Sequence, residues 1–182
     1  MQVAADLFYR QGYRATGVNE VIEKSGVAKA TFYKHFPSKD DLGHAYIQSM
    51  RENEIAYLTR CVSSQSEPVG RFLAVIDSLR AWLIETDFRG CPFINMVSEI
   101  PDPKNPLRKE GMMLYDATRD MVLTLAEELL ASDAQKYGHL DAQELTKEYM
   151  VIFAGAVGLA GIYHSNWPVE HALISARRLI GE

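Results

Sequence analysis

The chain has 182 residues, of which 47% are hydrophobic and 24% charged, enough apolar content to bury a core and too much for a disordered or fibrous protein. Its net charge of -5 is uneven: residues 1–50 hold six Lys/Arg against five Asp/Glu, so the acid excess lies in the remaining 132. Two cysteines are too few for a disulfide framework, and no N-terminal stretch has the order of a signal peptide.

Helical spacing dominates from the first residues. Ala4, Leu7 and Phe8 form one stripe, ended by Gly12. Val18, Val21 and Ile22 form a second, with Thr16 expected as its N-cap and Ser25-Gly26 as its stop. Ala28, Phe32 and Phe36 form a third, closed before Pro37. Ser38-Lys39-Asp40-Asp41 matches a capping box and opens a fourth helix, predicted to reach about residue 61. Pro68 starts a helix with Val69, Phe72, Leu73, Ile76, Leu79 and Leu83. Four prolines in 90–106 leave room for a short helix around 95–100. Long helices are expected over about 107–131 and 141–164, and a last one after Pro168. The longest uncharged apolar run, 150–163, falls short of the roughly 20 residues that span a bilayer, so a buried helix and a cytoplasmic protein without a membrane partner are expected. The fold class is all-α, with about nine helices.

The stretch 26–39, GVAKATFYKHFPSK, carries three lysines, a histidine and three aromatic residues but no acid. Two short helices around a glycine turn follow the helix-turn-helix plan, whose second helix enters the major groove of DNA. A wheel begun at residue 28 puts Ala28, Phe32 and Phe36 on the buried side and Ala30, Thr31, Tyr33 and Lys34 outside. Lysine and threonine read base edges, tyrosine and histidine donate to phosphate, and an acid would repel it. A solvated surface helix is the alternative from composition alone.

The pattern Ala4-Ala5-Asp6-Leu7-Phe8, Gly12-Tyr13-Arg14-Ala15-Thr16-Gly17-Val18, then Ile22 and 26–39, resembles the TetR family of bacterial transcriptional repressors over about the first 45 residues. The resemblance implies a helix-turn-helix head over 1–45 and a ligand-binding, dimerising helical body over 46–182. It also implies that Thr16 caps the second helix and meets phosphate through its hydroxyl or the adjacent amides. Ala28, Lys29 and Thr31 would face bases, and Tyr33, Lys34, His35 and Lys39 would complete the DNA contacts. Position 28, often serine, is alanine here, as is position 30, often glycine, which bears on the operator sequence. The sequence starts directly in the first helix, where the family commonly has a basic arm. Gly90-Cys91-Pro92-Phe93 followed by Pro101-Asp102-Pro103 is similar to one subgroup of such regulators.

In the body, methionine and aromatic residues suit an apolar pocket for a small-molecule effector. Trp82, Phe93, Asn95, Met96, Met113, Tyr115, Tyr149 and Phe153 are the candidates. Gly155, Gly158 and Gly161 recur every three residues, and with Leu173 and Ala176 of the last helix they are expected in a two-fold dimer interface that sets two reading heads on a palindromic DNA operator; close packing inside one chain is the alternative. The five histidines are scattered and no metalloprotease, P-loop or nucleophile-elbow motif occurs, so neither catalysis, metal nor cofactor is expected. Cys91 reads as a packing thiol or a redox sensor. A helical protein-interaction adaptor would explain the bundle, but not the spacing of Lys29, Thr31, Tyr33, His35 and Lys39.

Overall fold

A computed structural model describes residues 1–182. The chain is all-α: α1 Gln2–Gln11, α2 Val18–Ser25, α3 Lys29–His35, α4 Lys39–Ser63, α5 Pro68–Asp77, α6 Leu79–Glu85, α7 Pro92–Glu99, α8 Pro106–Ser132, α9 Ala134–Tyr137, α10 Ala142–Tyr163 and α11 Trp167–Leu179. The chain divides into two compact units, Met1–Asn53 with Cys91–Leu114, and Glu54–Gly90 with Tyr115–Glu182. The α4 and α8 helices each contribute to both.

In the first unit α1 packs on α2 and buries Ala4, Leu7 and Phe8. The Phe8 ring meets Tyr13 at 5.2 Å and Tyr46 of α4 at 5.5 Å, both edge-on. The end of α1 is set by Gly12 at φ 101, a conformation that a side chain disfavours. The capping box of α4 forms reciprocally: Asp41 N–H donates to Ser38 Oγ at 3.1 Å, and Ser38 N–H donates to Asp41 Oδ2 at 3.0 Å. The helix expected around residue 95 starts earlier, because Pro92 sits in the first turn, where its missing N–H is not needed.

In the second unit α11 packs on α10 and α5, and the small residues Ala156, Ala160, Ala172 and Ala176 of α10 and α11 are buried. The single helix expected from Pro68 is broken into α5 and α6 at Ser78. Two polar contacts lie beside the break. Ile76 N–H donates to the Tyr149 hydroxyl at 3.0 Å, and Ser78 Oγ donates back to the Val75 carbonyl at 2.8 Å. Tyr149 is fully buried, edge-on to Phe72 at 4.8 Å. Asp133 starts the one-turn α9 by accepting from Gln135 and Lys136 N–H, and this adds the other element beyond nine. Asp141 caps α10 through Glu144 N–H at 2.9 Å. At 22 residues α10 is long and apolar enough to cross a membrane by length and composition, although the apolar run inside it is shorter.

Removing the Tyr149 hydroxyl strands a buried N–H, so Tyr149→Phe is expected to lower unfolding free energy by about 1–2 kcal/mol in a denaturant titration. A second expectation concerns pH. Burial, with no compensating charge, pushes the Glu54 carboxyl up to about 7. Between its unfolded value and pH 7 the folded chain therefore holds a proton that the unfolded chain has lost, and stability falls as pH rises through that window. Glu54→Gln should remove this slope and stabilise the protein by roughly 1–3 kcal/mol at pH 8, with the gain vanishing toward pH 4.

Candidate nucleic-acid interface

The α2 and α3 helices are joined by Gly26 in the left-handed region at φ 66, with open space where a side chain would stand. The turn thus needs glycine for its backbone, not for packing. One side chain, Phe32, anchors α3; it is 5% exposed and meets the Tyr33 and Phe36 rings at 5.4 and 5.7 Å. Ala28, Lys29, Ala30, Thr31, Tyr33, Lys34 and His35 are all exposed. The wheel had Ala28 buried. It is instead the N-cap of α3, with non-helical ψ 136, so helical phase does not apply to it and its methyl faces out. Phe36 lies just past the other end and is half-buried for the same reason.

The charges around α3 differ from those on its neighbours. Arg10 pairs with Asp6 and Lys24 with Glu20, both within their own helices. Lys29 and Lys34 take part in none of the chain's ion pairs, and no acid occurs from Gly26 to Lys39. The face presents two free ammonium groups, a hydroxyl, a phenol and an imidazole on one short helix. Chemically it can donate to a polyanion and to base edges, and it offers no carboxylate in return.

Thr16 sits differently from expectation. The N-cap of α2 is Gly17, with no side-chain capping bond. The Thr16 side chain is fully buried and its Oγ1 donates to the Gly12 and Leu7 carbonyls at 2.8 and 3.3 Å. Its hydroxyl ties α1 to the turn and is not presented to solvent. Lys39 is half-buried, with Nζ donating to the Arg14 carbonyl at 3.3 Å and lying 4.7 Å from the centre of the Tyr13 ring. Burial lowers its pKa from the usual lysine value, opposed by the charges of Glu99 and Asp40. The Tyr13 hydroxyl donates to Asp40 Oδ1 at 2.5 Å; burial first, then that carboxylate, raises its pKa.

The residues expected to meet an effector fall in both units. In the first, Asn95 and Met96 border a tight crevice with Phe8, Tyr9, Tyr13 and Tyr46, too narrow for a water molecule. Phe93 is buried, and the Met113 sulfur accepts from Arg51 at 3.2 Å. In the second, Trp82 and Tyr115 are half-buried, Phe153 is buried, and Tyr149 serves the α5 backbone. Two open grooves in this unit, of about 430 and 320 Å³, contain none of these residues. Of the residues expected at a dimer interface, Gly155, Gly158 and Gly161 are exposed, whereas Leu173 and Ala176 face the interior of their own chain. Helical period alone does not tell which of two apolar faces of α11 points inward. The group that sequence reasoning missed is Glu99, whose carboxylate reaches the turn between α1 and α2; its partners are main-chain N–H groups, which leave no trace in side-chain patterns.

Comparison with known proteins bears on the family of the chain. Residues 1–46 match the family described as bacterial regulatory proteins, tetR family, and residues 68–176 match the tetracyclin repressor-like C-terminal domain. The transcriptional regulator LmrA of Bacillus subtilis is 30% identical over 111 residues, covering 60% of this chain and 59% of that protein. For LmrA and three other curated relatives, the chain spans between 46% and 63% of their lengths. The transcriptional repressor KstR2 of Mycobacterium tuberculosis is 22% identical over 185 residues, covering 89% and 92%. Among solved structures, SCO4454 of Streptomyces coelicolor, a TetR-family regulator, superposes with a TM-score of 0.83 at 27% identity over 98% of this chain and 85% of that one. A TetR regulator from Chloroflexus aurantiacus gives 0.83 at 26% identity, covering 99% and 91%. With one family description on the α1–α3 head and the other on most of the helices that follow, the chain belongs to the TetR family of bacterial regulatory proteins.

Proposed function

We propose that the protein is a cytoplasmic transcriptional repressor that binds a palindromic DNA operator as a homodimer and is released by a small-molecule effector. The observation that carries this reading is the outer face of α3, cationic, hydroxylated and free of acid, held on a rigid anchor at Phe32. In this reading Ala28, Lys29 and Thr31 meet base edges, while Tyr33, Lys34, His35 and Lys39 meet phosphates with the amides that follow Thr16. No reaction is assigned to it. The effector is of unassigned chemistry, and the aromatic, methionine and asparagine residues named above are proposed to contact it. The α4 helix, which contributes to both units, is proposed as the relay.

A second copy accounts for the outer face of α10. Val151, Gly155, Gly158, Leu159 and Ile162 share one helical face, with Val151 and Ile162 73% and 75% exposed. Trp167 and Ile174 of α11 are exposed as well. An apolar stripe of this kind is unfavourable in water. A Cβ added at Gly155 or Gly158 would meet nothing within 4 Å, so packing inside the chain gives no reason for glycine at either place. Close approach of a partner helix does. At Gly161 the Phe88 carbonyl lies 3.3 Å from such a Cβ, and the chain's own packing suffices. Leu173 and Ala176 are left out of the proposed interface because they are buried.

Two experiments test the reading. Against a duplex selected by the protein from a random pool, Lys29→Ala and Thr31→Ala should each weaken binding by about 1–3 kcal/mol and relax sequence preference, as loss of base contacts does. Lys34→Ala should weaken selected and random duplexes alike and reduce the salt slope by about one. Unchanged binding by all three variants, or passage of the parent through heparin at low salt, would favour an adaptor. For the dimer, Gly158→Leu fits the isolated chain and favours helix, so it should keep or raise helicity while shifting sedimentation from dimer to monomer and abolishing operator binding. A parent that sediments as a monomer at micromolar concentration would overturn the two-fold reading.

A further inference from the structure

Within the first unit, one end of α7 grips the head. The Glu99 carboxylate accepts from two successive main-chain N–H groups of the α1–α2 turn, Tyr13 at 3.2 Å on Oε1 and Arg14 at 2.6 Å on Oε2. These partners are 86 and 85 positions away in sequence. The carboxylate fits because residue 12 is glycine: a Cβ there would stand 2.6 Å from Oε1, on a backbone at φ +101. On its other polar edge, the Arg14 carbonyl of the same turn accepts from Lys39 Nζ. Both grips use an ionised group, which strengthens a hydrogen bond to the backbone.

The α7 helix itself gives no reason for an acid at this position. Glu99 is its last residue, where the helix dipole disfavours a carboxylate, and the last turn holds no basic residue. The Val97 and Ile100 carbonyls at this end accept from Arg108 of α8 at 3.1 and 2.8 Å. Two residues on, Glu110 pairs with Arg51 of α4 at 3.3 Å. The Tyr13 hydroxyl, on the gripped turn, returns to Asp40 of α4. The contacts close a ring: α4 to α8, α8 to α7, α7 to the turn, and the turn back to α4. The turn leads directly into α2 and so sets where α3 lies.

Resting on the DNA-binding reading of α3, we propose that Glu99 is a positioning residue for operator recognition, which holds the α1–α2 turn so that the helix-turn-helix keeps one orientation on α7. A head held in place loses little freedom on meeting its site, whereas a loose one must be ordered at the expense of affinity. Random-sequence binding through phosphates tolerates a loose head, because it demands no register.

The test compares the full chain with Glu99→Gln, which swaps one acceptor oxygen for a group that cannot accept. Amide hydrogen exchange at Tyr13 and Arg14 should become at least about tenfold faster, as expected for losing a charged hydrogen-bond partner. Affinity for a duplex selected by the parent should drop about tenfold, and affinity for random-sequence duplex at low salt should stay within about twofold. Glu99→Asp keeps the charge but not the reach, and should behave like Gln; it carries the same comparison if the Gln variant does not fold. Unchanged exchange would show that Glu99 does not hold the turn. Faster exchange with selected-duplex affinity unchanged or raised, or an equal loss on both duplexes, would overturn the positioning role. A parent that selects no duplex would sink the DNA-binding reading itself, and the inference with it.

Discussion

The Phe32 contact bears more of the functional architecture than its size suggests. A helix of seven residues has no stability of its own in water, because nucleation is costly and few hydrogen bonds follow it. The α3 helix exists because Phe32 is buried and because Gly26 and Pro37 bound it on either side. With the anchor on one side, every other residue of the helix is free to face outward. The same economy explains why so short a segment carries two lysines, a histidine, a tyrosine and a threonine on its surface: none of them is required for the core.

Anchoring alone fixes α3 to its neighbours, not the head to the rest of its unit. That second task falls to polar groups in the turn before α2. Thr16 turns its hydroxyl inward to the Gly12 carbonyl, Tyr13 reaches Asp40, and Glu99 takes the N–H groups of Tyr13 and Arg14. A turn leaves main-chain groups unpaired that helices satisfy internally. Here those groups are the means by which distant segments are joined. Lys39 belongs to the same set, since its ammonium rests against the Arg14 carbonyl and the Tyr13 ring.

The charge distribution and the apolar stripe on α10 point to two different kinds of partner surface on one chain. Acid is excluded from 26–39 and concentrated elsewhere, so a polyanion is attracted to one place and repelled from the rest. On α10 the opposite holds from Val151 onward: the exposed face there is uncharged, and a Cβ added at Gly155 or Gly158 would meet nothing within 4 Å. A helix with one apolar face toward its own core and another toward water gives the same high hydropathy as a fully buried one. This is why a 22-residue helix passes the length and composition test for a membrane span without being enclosed on all sides.

The sequence by itself determined most of the helices, most of their ends and the acid-free composition of α3. Those features are local: they follow from period, from glycine and proline, and from capping residues such as Ser38 and Asp41, all acting within a few residues. Their chemistry is fixed by residue type at a given spacing, whatever packs against them. The tertiary structure decided what long-range contacts decide. It turned Thr16 from a cap into a buried strut, set Ala28 outside by starting α3 one residue later, and placed the Tyr149 hydroxyl against the main chain beside the break at Ser78. It chose the inward face of α11, which buries Leu173 and Ala176. It also brought Glu99 to a turn more than eighty residues away. In each case a side chain met a main-chain group or a core position far along the chain, and no local pattern encodes that meeting.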